Sequence, residues 1–160
     1  MDDDDLDDGQ VFSLRASPAK RVVGAIIMVT LALLLIWLGL TTASDFFGKV
    51  IFFGIGGGSL YLAQRFWVAT QDAVDLTEDG LRLRSGRMLA PFDDIVSVDR
   101  GAFAFKPSNG FMLKLVRAPG RGWAPGLWWS IGKLVAVGGV TPASDGKFMA
   151  ELISKRLAER

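Results

Sequence analysis

Apolar positions cluster early in the chain and then alternate. Val22–Leu40 reads VVGAIIMVTLALLLIWLGL, 19 residues without a charge. At about 1.5 Å per residue a helix of that length spans about 28 Å, close to the roughly 30 Å hydrocarbon core of a bilayer. Val50–Gln64 is a second uncharged run, and apolar residues continue past its flanking Lys49 and Arg65, at Phe46-Phe47 and Phe66-Trp67-Val68-Ala69. Long basic side chains near a helix end reach back to the headgroups. Phe46–Val68 therefore reads as a second span, with Trp37, Tyr61 and Trp67 as candidate interfacial anchors. Thr41–Asp45 is short enough to join the two as an antiparallel hairpin. A cleavable signal sequence is the competing reading of the first run, with Thr42-Ala43-Ser44 as the small residues; the run is too long for it.

After Thr70 the pattern changes from continuous to alternating. Val74-Asp75-Leu76, Leu81-Arg82-Leu83-Arg84, Met88–Phe92, Ile95–Val98, Ala102–Phe105 and Phe111–Val116 predict short strands. Turn residues punctuate them at Glu78-Asp79-Gly80, Ser85-Gly86 and Pro107-Ser108-Asn109-Gly110. Trp128–Ile131 and Leu134–Val137 predict a hairpin about Gly132-Lys133. The final segment places Phe148, Leu152, Ile153 and Leu157 on one helical face, with Ser144 or Asp145 as the N-cap and Lys155, Arg156 and Arg160 near the C-terminal end. The predicted organisation is an acidic, disordered tail at 1–20, a two-helix transmembrane hairpin at 21–69 with spans of about 22–40 and 46–68, and a domain at 70–160. The fold class is a membrane α-helical hairpin plus an α+β, mainly β, domain of about seven antiparallel strands capped by a C-terminal helix.

That order of elements resembles a bacterial pleckstrin-homology (PH)-like domain carried behind a pair of membrane spans. Asp75-Leu76-Thr77-Glu78-Asp79-Gly80-Leu81 is similar to the opening hairpin of such proteins. Pro91-Phe92-Asp93-Asp94-Ile95-Val96-Ser97-Val98 resembles their recurring strand with Pro, an aromatic, Ile and Val. The resemblance covers roughly Asp72 to the end, plus the hairpin before it. The glycine-rich loop with Trp123, Trp128 and Trp129 departs from the family pattern. The resemblance implies a multi-pass protein of the bacterial inner membrane, and basic residues on early strands that in some members bind phosphorylated lipid headgroups.

Composition narrows the chemistry. Half the residues are hydrophobic, and the excess lies in the two apolar runs. Cys and His are both absent, which removes disulfides, thiolate nucleophiles, the usual zinc ligands and the commonest general base. No cofactor or metal is expected. Asp93 and Asp94 are adjacent, so on a strand they would face opposite ways, and turn or capping roles suit them better. Ser130 and Lys133 have no diagnostic spacing. The expectation is a protein that is not an enzyme.

Charge is uneven although the net is only +1. Asp2–Asp5, Asp7 and Asp8 make an acidic segment, a solvated tail or a weak lid over a basic face. From Ala69 onward there are 13 basic and 10 acidic residues, too mild a bias for nucleic acid. Arg15, Lys20 and Arg21 precede the first span and Arg65 closes the second, while the connecting loop has only Lys49. The positive-inside rule then puts both termini in the cytoplasm.

Three sets of residues are candidates for binding. Arg82, Arg84 and Arg87 form a potential anionic-lipid headgroup site, since each cation near an acidic leaflet is worth about 1 kcal/mol. The plainer reading is a solvated strand face paired with Asp75, Asp79 or Asp99. Trp123, Trp128, Trp129 and Arg121 lie in a loop rich in Gly and Pro, and large aromatics in such a setting anchor interfaces. The plainer reading is that Trp128 and Trp129 open a strand, with one of them in the core. Gly54 and Gly58 make a GxxxG pair, either a homodimerisation face or a packing surface for the first span. Expected partners are thus the lipid bilayer, another membrane protein, anionic lipids, and a second copy through the second span.

Overall fold

The computed structural model describes residues 10–42, 45–99 and 107–159. Among these residues the elements run β1 (Gln10–Arg15), α1 (Pro18–Thr41), α2 (Phe46–Ala69), β2 (Ala73–Thr77), β3 (Gly80–Leu83), β4 (Met88–Pro91), β5 (Ile95–Asp99), β6 (Phe111–Leu115), β7 (Gly122–Ala124), β8 (Trp128–Ile131), β9 (Leu134–Val137) and α3 (Ala143–Ala158). Pro18–Val68 is one compact unit, and the chain on either side of it forms the other.

In the helical unit, α1 opens on Pro18, whose fixed φ and missing N–H suit a first helical position. The α2 helix is capped by Asp45, whose Oδ2 accepts the Gly48 N–H at 2.9 Å. Both helices are long and apolar enough to cross a membrane, and each has 24 residues. Small residues set their mutual approach. A Cβ on Gly56 would lie 2.9 Å from Ile36 Cγ1 and 3.2 Å from the Ala32 carbonyl oxygen. A Cβ on Gly24 would meet the Phe66 ring at 3.0 Å. At the open end of the hairpin the Arg21 guanidinium stacks 4.8 Å from the centre of the Trp67 ring.

The second unit has two antiparallel sheets, with strand orders β1-β2-β3-β4 and β5-β6-β9-β8-β7. Alternation fills the core between them and α3. Leu14, Val74, Leu76, Leu81 and Leu83 face inward from the first sheet, and Phe111, Leu113, Leu115, Val135 and Val137 from the second. The α3 helix adds Met149, Ala150 and Ile153, all fully buried. The sheets are joined by the 3₁₀ turn Phe92–Asp94. There Asp94 is buried and accepts the Arg117 Nε–H at 2.8 Å. That hydrogen bond, then the Asp94 charge, hold the Arg117 guanidinium pKa above its ordinary value.

The helical hairpin is an insertion between neighbouring strands. β1 and β2 pair directly, with Leu14 opposite Val74 and Arg15 opposite Ala73. The chain leaves β1, passes through α1 and α2 and returns as β2. Any membrane the hairpin crosses must therefore have β1 and β2 on one side.

Several expectations are corrected. The tail expected at 1–20 does not extend that far, because Gln10–Arg15 is a strand and Pro18 begins α1. Residues 1–9, and with them the acidic run, lie outside the described residues. So does the strand expected at Ala102–Phe105. Eight strands are described within the domain expected at 70–160 to have about seven, and β1 joins them from before the hairpin. The third helix begins after Pro142 with no side-chain cap, and Ser144 Oγ donates to Asp145 instead of capping the helix. Its core stripe is Gly146, Met149, Ala150 and Ile153; Phe148 is half exposed and meets Phe12 edge-on at 5.0 Å.

Candidate interaction surface

The aromatic-rich loop is the tip of a hairpin. β7 and β8 pair with Trp123 opposite Trp129 and Ala124 opposite Trp128. Pro125 and Gly126 turn the chain between them; Gly126 has φ 79°, a left-handed value that favours glycine, and Leu127 N–H closes the turn on the Ala124 carbonyl at 3.0 Å. Because β8 is extended, its adjacent tryptophans point to opposite faces. Trp128 faces inward and is buried, while Trp129 is half buried. Trp123, on the same face as Trp129, is 54% exposed. Together with Pro107, Leu127 and the Gly138-Gly139 backbone, Trp123 and Trp129 line a largely apolar cleft of about 520 Å³.

The expected arginine cluster does not converge on one site. Arg84 Nε lies 3.4 Å from Asp75 Oδ2, and its Nη2 donates to Ser13 Oγ at 3.3 Å. Arg87 crosses to the other sheet, where its guanidinium stacks 5.0 Å from the Trp128 ring and donates to the Arg121 carbonyl at 3.3 Å. Gly122 permits this approach, since a Cβ there would meet both Trp128 and Arg87. Arg82 sits opposite Asp75 in the β2–β3 register and is half buried. Arg84 and Arg87 thus brace the domain, whereas Arg121 is exposed on the loop that enters β7.

Of the two readings of the glycine pair, packing against the first span is corrected. Nothing lies within 4 Å of a Cβ built on Gly54 or on Gly58, so neither packs against α1. That role falls to Gly56, which the GxxxG pattern skips.

A second, polar cavity of about 400 Å³ is lined by Glu78, Asp79, Phe92, Asp93, Arg156 and Glu159. Arg156 occupies its wall, stacked 4.7 Å from the Phe92 ring and donating to the Glu78 carbonyl at 3.0 Å. Among the described residues, no group of three acidic, Cys or His side chains could hold a metal ion. Ser130 is buried and donates to the Gly120 carbonyl at 2.6 Å, with no bond to Lys133. Of the adjacent aspartates, Asp94 is committed to Arg117 and Asp93 is exposed.

The strand at Gly122–Ala124, which builds one wall of the cleft, was hidden within a stretch of Gly and Pro. Its only sequence signal was the Pro125-Gly126 turn placed symmetrically between Trp123 and Trp128-Trp129. Against known protein families, characterised proteins and solved structures, the chain matches none.

Proposed function

We propose that this chain is a non-enzymatic, membrane-tethered interaction module that binds another membrane-associated protein at the cytoplasmic face of the bacterial inner membrane. The hairpin is the anchor, and the mainly β domain closed by α3 is PH-like. The aromatic cleft carries the reading: a 54% exposed tryptophan beside a half-buried one, over glycine backbone, is the composition of an interface hot spot. Direct pairing of β1 with β2 supports one-sided placement of the domain and of both hairpin flanks. The Lys and Arg bias toward those flanks supports the cytoplasmic side.

Among the described residues that line the cleft, Ser108 has a hydroxyl and none has an acidic or basic side chain, which favours binding over catalysis. The alternative of headgroup binding through Arg82, Arg84 and Arg87 is weakened, because Arg84 and Arg87 are engaged with different internal partners.

The test is purification of the full-length protein from native membranes in mild detergent, at low and at moderate salt. A stoichiometric protein that survives the salt and is lost in Trp123→Ala supports the module. Recovery of anionic lipid alone, removed by Arg82→Ala with Arg84→Ala, would overturn it in favour of headgroup recognition.

A further inference from the structure

The cleft lies at a defined end of the domain. Ser17, the residue before α1, donates its N–H to the Val140 carbonyl at 2.9 Å. Val140 N–H donates to the Gly126 carbonyl at 3.0 Å, and Gly139 N–H to the Ser108 carbonyl at 2.7 Å. Gly126, Ser108 and Gly139 all line the cleft. A short ladder of backbone hydrogen bonds therefore ties the cleft to the point where the chain enters its first span. At the exit of the second span, Asp72 accepts the Ser85 hydroxyl at 2.7 Å. The β3–β4 turn that carries Arg87 is thereby held at the same end.

The cleft also borders an open strand. Among the described residues β7 ends the five-stranded sheet and pairs with β8 alone. Main-chain groups on such an edge are matched by an extended polypeptide, with alternate side chains entering neighbouring pockets. A lipid chain offers no such match. Arg121, directly before β7, is exposed and makes no side-chain ion pair among the described residues. Resting on the interaction-module reading, we propose that the β7 edge and its aromatic cleft receive an extended, apolar juxtamembrane segment of a partner membrane protein. One apolar side chain of that segment packs against the exposed Trp123, and a carboxylate of the segment meets Arg121. The tie to Ser17, the residue directly before α1, is the reason for assigning the partner's juxtamembrane stretch. A distant soluble domain has no reason to be selected there.

The test places the photoreactive residue p-benzoylphenylalanine at position 123 of the full chain in native membranes. Position 131 is the control: Ile131 lies on the same face of the sheet, is 63% exposed and sits at the far end of β8. The expected result is a protein adduct from position 123 only, with the crosslinked peptide within about ten residues of a predicted span, a window of about 33 Å for an extended chain. Arg121→Glu should reduce that adduct at least several-fold. An adduct to phospholipid, equal adducts at both positions, or a crosslink inside a soluble domain would overturn the juxtamembrane proposal. Protein adducts in a soluble domain would leave the interaction module standing. No protein adduct at either position would overturn both.

Discussion

Replacing Gly56 by leucine should open the helical hairpin, whereas the same change at Gly54 should not. A Cβ at position 56 would already stand 2.9 Å from Ile36 Cγ1 and 3.2 Å from the Ala32 carbonyl oxygen. Carbon atoms pack best at about 3.5–4.0 Å, so alanine alone asks for a separation of roughly half an ångström, and leucine adds three more heavy atoms. Overpacking of this kind costs about 1–3 kcal/mol, roughly a 5- to 150-fold change in the closed-to-open ratio. Position 54 has nothing within 4 Å of its Cβ, so a side chain there starts in open space and is not driven against α1. The assay exploits the absence of native cysteine. An ideal Cβ at Gly39 is 3.0 Å from Phe52 Cβ, so cysteines at both positions need about half an ångström of relaxation to reach disulfide geometry. Intramolecular crosslinking of that pair, read as a mobility shift on a non-reducing gel, reports hairpin closure. Gly56→Leu should slow it several-fold and Gly54→Leu should leave it unchanged. Equal slowing by both changes would refute the packing argument.

A second copy on the opposite face of α2 is tested by Gly58→Cys, for which an intermolecular disulfide in native membranes supports a homodimer and its absence under strong oxidant argues against one. In the mainly β unit, Met149→Ala should destabilise the domain by about 2–5 kcal/mol, because a fully buried side chain is lost from the α3 contact; an unchanged thermal midpoint would contradict the core described above. Arg117→Gln should lower the thermal midpoint through loss of the Asp94 contact. The raised Arg117 pKa means that its stabilisation is fully present below the ordinary guanidinium pKa and is lost only as pH rises through the higher folded value. The midpoint difference between variant and parent should therefore stay constant from about pH 7 to pH 10, and a decline within that window would contradict the assignment.

Much of the architecture is legible in residue order. Apolar length predicts both helices of the hairpin, the second once Lys49 and Arg65 are read as reaching back to the headgroups, because a span is a property of one continuous segment. Strict alternation predicts the strands around Leu81 and Leu113, because the period of two is local. The Gly132-Lys133 hairpin follows from its turn residues, and the opposed fates of Trp128 and Trp129 from the pleat of one strand. For the candidate site, the tryptophans and Arg121 stand out by composition alone, in a loop where large aromatics are unusual.

Tertiary structure decides the rest. β1 is invisible as a strand because its partner β2 lies beyond the whole hairpin, and an isolated six-residue strand has little to hold it. The choice of Gly56 over Gly54 and Gly58 depends on how α2 is rotated against α1, and a helix apolar on nearly every side carries no local record of that rotation. The three early arginines share a neighbourhood in sequence but reach different partners, since Arg84 stays on its own sheet and Arg87 crosses to Trp128 on the other. The cleft exists only because β7 pairs at the edge of β8 and the Gly138-Gly139 turn closes beneath it. Length, period and turn chemistry are properties of neighbouring residues, and the chain states them directly. Which surfaces meet is set by packing between segments far apart in the chain, and only the folded structure resolves it.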